Sequence, residues 1–167
     1  EEDLKSLVQE TRIRAEKLPK DPDLPPLASR RPHRRLRGFY KSTAEAPPKE
    51  KSKKIKEALE ILSSRDLKGS GFFETIIHRL WVINTKGVNK HFEETVAAFR
   101  LIAKTKNGST GFAQARSRKI EDIRPDEIAV RAMKKALWGN KKRKMPDGAY
   151  TVILEPEPLA HLILFLG

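Results

Sequence analysis

The stretch from Gly71 to Arg118 limits the possible folds more than any other part of the chain. β-Branched and aromatic residues are frequent in it and turn signals interrupt it, so it reads as antiparallel strands. GFFETIIHRLWVIN is either two short strands or one long one. Asn84-Thr85-Lys86-Gly87 follows as a turn, with Gly87 suited to a positive φ. A long strand is expected from about His91 to Thr105. Asn107-Gly108 is the strongest short-range hairpin signal in the chain, and the return strand runs from about Thr110 to Arg118.

The flanks read as helices and linkers. Leu4, Leu7, Val8 and Thr11 fall at helical spacing over residues 2 to 17, and Pro19 stops the run. LPKDPDLPPLASRRP holds five prolines in fifteen residues, a composition for extended or polyproline backbone. This linker is expected at about 19–54, through an arginine cluster and APPKEKSKK. A second helix carries Ile55, Ala58, Leu59 and Leu62 on one stripe. Pro125 opens a third, with Asp126 and Glu127 in its first turn and Lys134 and Lys135 in its last, as the helix dipole favours. Ile128, Ala132 and Ala136 make its apolar stripe, Met133 and Leu137 widen it, and Gly139 stops it. NKKRKMPDG is a basic, turn-rich connector and a domain boundary. Beyond it, Ala149 to Leu154 reads as a short buried strand, and Pro156 starts a helix with Leu159, Leu162, Ile163 and Leu166 on one face. The fold class is therefore α+β: an antiparallel sheet with packed helices, then the first strand and helix of a second domain. The expected division is 1–145 and 146–167.

Charge and composition exclude several functions. No apolar run approaches the length of a membrane span, and the acidic, polar EEDLKSLVQE is no signal peptide. There is no cysteine, hence no disulfide, thiolate metal site or cysteine nucleophile. No Met precedes Met133 and position 1 is Glu, so a piece of a longer protein is expected. The net charge of +13 is local: residues 30 to 56 hold eleven Lys or Arg against Glu45 and Glu50, a net +9. A basic surface confined in this way argues against nucleic-acid binding by the whole fold.

Catalytic chemistry has little support. His33, His78, His91 and His161 form no H-E-x-x-H or H-E-x-x-x-H pair, and no G-x-S-x-G elbow marks a nucleophile. Glu93 and Glu94 are neighbours on a strand and point to opposite faces, so they cannot act as a carboxylate pair. KGSG and NGSTG lack a P-loop lysine pattern and read as turns. The candidate binding motif is RRPHRRLRGFYK. Arg30, Arg31, Arg34, Arg35 and Arg37 could neutralise phosphates while Phe39 and Tyr40 stack on bases. The alternatives are a solvated linker or a surface lying over an acidic partner subunit.

The tail carries a resemblance. PDGAYTVILEPEPLAHLILFLG resembles the segment that opens the second domain of the TldD/PmbA family, with Pro146, Gly148, Tyr150, Val152, Leu154, Pro156, Glu157, Ala160 and Leu162 matching the pattern. INTKGV, KIEDIRPDEIAVRAMKKAL and LPKDPDLPPL resemble upstream family segments in the same order, with Thr85 where the family's turn has Ser. The resemblance implies an α+β N-terminal domain joined to a larger C-terminal one, in cytoplasmic dimers. TldD-like members are implied to be zinc metallopeptidases acting on peptides or unfolded segments, with H-E-x-x-x-H on the helix after the tail strand. In this chain Leu164-Phe165 falls about where His-Glu would stand, so the resemblance points to the PmbA/TldE branch. That branch implies a subunit that supports a TldD-like partner or pairs with itself, with no cofactor of its own and zinc only in the catalytic subunit. A split or truncated TldD-like protein is the variant reading. The family also implies peptide capture by strand addition. The rival function is a basic nucleic-acid-binding module built on Arg30 to Arg37, and a purely structural domain is the third reading.

Overall fold

The computed structural model describes residues 2–32, 36–140 and 143–166. Among them are five α-helices: α1 (Glu2–Lys17), α2 (Lys41–Ala44), α3 (Pro48–Ser63), α4 (Pro125–Trp138) and α5 (Pro156–Leu166). The three strands are β1 (Lys68–Ile83), β2 (Asn89–Lys104) and β3 (Thr110–Ser117), with a 3-10 turn at Ile120–Asp122. The strands form one antiparallel meander in the order β1-β2-β3. The chain is thus α+β, as expected, and GFFETIIHRLWVIN lies within one long strand rather than two.

Both turns have the same build. Asn84 N–H donates to Val88 C=O and Thr105 N–H to Ser109 C=O, each closing a short loop whose last residue is a left-handed glycine, Gly87 at φ 80° and Gly108 at φ 83°. Asn107 keeps a negative φ, so the Asn-Gly pair sits in a three-residue loop with a glycine bulge instead of a two-residue turn. The side chains of Asn84 and Thr105 accept backbone N–H bonds inside their own loops, which takes up donors the turn would leave free.

Odd-numbered strand positions face the helices. Phe99 sits at the centre, stacked on Phe73 with centroids 5.4 Å apart, and Ala97, Leu101, Ala103 and Ala113 surround it. α3 contributes Ala58 and Leu62, and α4 contributes Ile128, Ala129, Ala132 and Ala136. Small side chains let α4 lie close on β3: a Cβ placed on Gly111 would come 2.1 Å from Ala132 O and 2.3 Å from Ala136 N. Met133 packs partly against this core, but Leu137 is exposed and does not widen the stripe as expected. Gly139 does end α4, in a right-handed conformation with φ −64°. It is small for another reason: a Cβ there would meet Ser109 Oγ at 2.1 Å.

The expected linker is shorter than 19–54. α2 and the first turns of α3 occupy its second half, because Pro48 takes the first helical position and the Lys and Glu residues after it are good helix formers. The expected strand Ala149–Leu154 does not form, and Val152 and Ile153 are exposed. A strand needs a neighbour for its N–H and C=O groups, and none among the described residues takes them up. The expected helices at 2–17 and from Pro156 are present, and neither buries a residue.

Candidate functional site

Three regions have features beyond packing: the junction where the linker meets the sheet, the arginine cluster, and the β1–β2 hairpin.

The junction is a buried hydrogen-bond node. Thr43 and Thr95 are both fully buried, and both hydroxyls donate to Arg118 C=O at 2.9 Å. Thr43 Oγ1 accepts from Ile120 N–H at 2.9 Å, and Thr95 Oγ1 from Tyr40 N–H at 3.1 Å. Thr95 N–H donates to Gly38 C=O at 3.1 Å, so residues 38–40 continue the lane of β3 alongside β2. Gly38 is needed there, since a Cβ would lie 2.7 Å from Glu93 O. A carbonyl oxygen can take two donors, and here both come from threonines distant in sequence.

Of the described residues of the arginine cluster, Arg37 is the one that meets this junction. Arg30 and Arg31 are exposed in a segment without regular structure, and Arg34 and Arg35 lie outside the described residues, as does His33. Arg37 lies over the Tyr40 ring at 5.3 Å, and Lys119 Nζ approaches the same ring at 5.0 Å. Two cations on one π system draw on the ring's quadrupole and leave both heads near solvent. Both carboxylates of β2 are paired. Glu93 pairs with Arg79 at 2.7 Å, beside His91, and Glu94 pairs with Arg118 at 3.2 Å on the other face. Glu121 is held below the usual carboxylate range, chiefly by a hydrogen bond from the Ser42 side chain. Among the described residues no group of His, Asp and Glu is placed to hold a metal ion, and no helix is long and apolar enough to cross a membrane. His78 and His91 are strand residues, and His91 stacks on Trp81 with centroids 4.7 Å apart.

The strands and turn of the β1–β2 hairpin were read from the sequence, but its exposed apolar surface was not. β3 pairs only with Ala97–Lys104 and residues 38–40 flank β2 as far as Glu93, so among the described residues the part of the β1–β2 hairpin beyond Glu93 is a two-stranded arm. Its exposed side chains include Leu80, Trp81, Val82 and Ile83, and Ile77 is exposed at its base. The even-numbered face of the sheet, opposite the helices, also carries exposed Phe72 and Ile102. The signal was available: Phe72-Phe73, Ile76-Ile77 and Leu80 to Ile83 break period-two alternation, which means apolar side chains on both faces.

The architecture is that of a helix-backed antiparallel meander running from α2 to the end of α4. Residues 41–139 match the model of the PmbA/TldA metallopeptidase central domain, limits that coincide with this packed body. The chain therefore belongs to the PmbA/TldD family. Its fold is similar to the crystal structure of a Thermotoga maritima protein described as a modulator of a DNA gyrase, with a TM-score of 0.62 and 20% identity. That likeness covers 73% of this chain and 30% of the other, so the chain spans under a third of the length of that relative. No curated protein matches the chain.

Proposed function

We propose that this chain is part of a TldD/PmbA-like subunit of a cytoplasmic peptidase complex that acts on peptides or unfolded segments. The observation that carries the reading is the family match over the whole packed body, residues 41–139. The subunit is of the kind that carries no metal itself and supports a zinc-bearing homologue. Support for that finer step comes from the tail: α5 follows the family-like PDGAYTVIL segment and holds Leu164 and Phe165 about where the family's catalytic His-Glu would stand. Within such a complex the packed body described here serves as a scaffold, and zinc chemistry belongs to the partner. Residues 1–145 then form the N-terminal part and residues 146–167 lead into a second domain. The test is co-expression of the full-length protein with a zinc-bearing homologue, followed by a peptidase assay and metal analysis. Co-purification with raised activity is expected, and zinc should follow the homologue. No association and no change in activity would sink the reading.

A further inference from the structure

We propose that a hollow at the end of the β1–β2 ladder opposite its turn binds the phosphate chain of a small polyphosphate anion. The hollow has a volume of about 550 Å³, within the range of small-molecule sites. Lys68, Lys104 and Lys106 line it together with one acid, Asp66. Three ammonium groups against one carboxylate leave a net +2 around it.

The strand register makes two of these lysines unusual. Elsewhere the same ladder sets unlike charges together, with Arg79 opposite Glu93 and His78 opposite Glu94. Lys68 instead lies directly opposite Lys104, and the partner on the other side of Lys104 is the neutral Thr110. Like charges directly opposite on a sheet repel. Among the described residues neither lysine makes an ion pair. Nothing within the described fold offsets the repulsion, whereas an anion held between the two ammonium groups does.

The third lysine is held beside them. Asp66 follows α3 with a left-handed φ of 60°, and Leu67 N–H reaches back to Leu62 C=O at 3.0 Å. Glycine is the usual residue at such a helix end. Asp66 instead supplies a carboxylate, which meets Lys106 Nζ from the β2–β3 turn at 3.2 Å. It neutralises Lys106 until a more highly charged anion displaces it. The backbone around the hollow is fixed. Leu67 and Thr105 are buried, and Thr105 Oγ1 accepts from Ser109 N–H at 3.1 Å and donates to Asn140 at 3.2 Å. Only the lysine stems need to move to close on a ligand. No aromatic side chain among the described residues lines the hollow, so nothing there stacks a nucleobase. Lysine recognises phosphate as a point charge, and three such charges together favour linked phosphates over a single one. The inference rests on this hollow alone and is independent of the peptidase reading.

The test is titration of the isotope-labelled chain with tripolyphosphate, ATP and sulfate, followed by amide NMR. Saturable shifts at Leu67, Lys68, Thr105 and Lys106 are expected with tripolyphosphate and ATP alike, and they should weaken as salt is added. Sulfate should bind far more weakly. Lys68→Met and Lys104→Met keep the stem and remove the charge, and each should lower affinity about tenfold, the scale of one charge-assisted contact. Asp66→Asn, which removes the competing carboxylate, should raise it severalfold. Without ligand, Lys104→Met should melt no lower than wild type, because the repulsion is gone. Lys53→Met, at an exposed position of α3, is the control and should bind as wild type does. No binding, sulfate as tight as tripolyphosphate, or ATP binding without tripolyphosphate binding overturns the inference. So does an equal loss of affinity in Lys53→Met and Lys104→Met, which would be general attraction to a chain of net charge +13. A ligand-free Lys104→Met chain that melts lower than wild type would show that the lysine pair is structural, and overturns it as well.

Discussion

Replacing Thr43 with valine tests the idea that the linker is locked to the sheet by hydrogen bonds rather than by shape. Valine keeps the volume and removes the hydroxyl. Arg118 C=O retains its second donor, Thr95 Oγ1 at 2.9 Å. Ile120 N–H loses its acceptor, and Ile120 is buried, so water cannot replace it. An orphaned buried donor costs about 1–3 kcal/mol, and the lost bond to Arg118 keeps the sum near about 2 kcal/mol. In a cooperative unit of roughly a hundred residues that lowers Tm by roughly 10 °C. Thr43→Ser is the control: it keeps the hydroxyl and loses one methyl, for about 1 kcal/mol. Urea denaturation followed by circular dichroism measures both, and the m-value should not change. The reasoning fails if valine is as stable as threonine, or if serine is the worse of the two. Either result would show that packing, not hydrogen bonding, holds Thr43.

Gly111→Ala should cost more than about 3 kcal/mol, or prevent folding, because its Cβ would overlap the backbone of α4. Gly87→Ala, in open space at φ 80°, should cost only the left-handed penalty of about 1–2 kcal/mol, and thermal melts of the two variants separate crowding from backbone strain. Replacing Arg30, Arg31 and Arg37 together with alanine should change stability by no more than about 1 kcal/mol, most of it from the Arg37 contact with Tyr40, since all three are exposed. The same variant should bind DNA no better than wild type at low salt, and an unchanged, salt-sensitive mobility shift would remove these arginines as the contact. Glu121 has a depressed folded pKa, so its stabilisation is present above the ordinary glutamate value of about 4.3 and is lost as pH falls through the folded value. Ser42→Ala should move the Glu121 titration upward in carboxyl NMR, and no movement would show that the hydrogen bond is not its cause.

Local physics was legible where it was decisive. The glycines of both turns, Pro125 and Pro156 at helix starts, and the stripe of Ile128, Ala132 and Ala136 are all consequences of backbone sterics or periodicity. The failures share a different cause. Ala149–Leu154 has a strand's composition, but pairing is a property of two segments and a single segment cannot declare it. The polar start of α3 looked like linker because its helicity depends on what Ala58 and Leu62 pack against. The threonine node was invisible because Thr43, Thr95 and Arg118 are far apart in sequence and none is unusual by type. The arginine cluster was the loudest charge signal, yet among its described residues the structure gives one contact, Arg37 on Tyr40.

The two tryptophans lie outside the core. Trp81 is on the hairpin arm against His91, and Trp138 is exposed at the end of α4. Intrinsic fluorescence of this chain is therefore a poor gauge of global unfolding, because both indoles are wet before denaturant is added. A Trp138→Phe chain would have its only indole on the arm, next to an imidazole able to quench it when protonated. The optical signal that usually reports a melting core would report here on whatever touches β1.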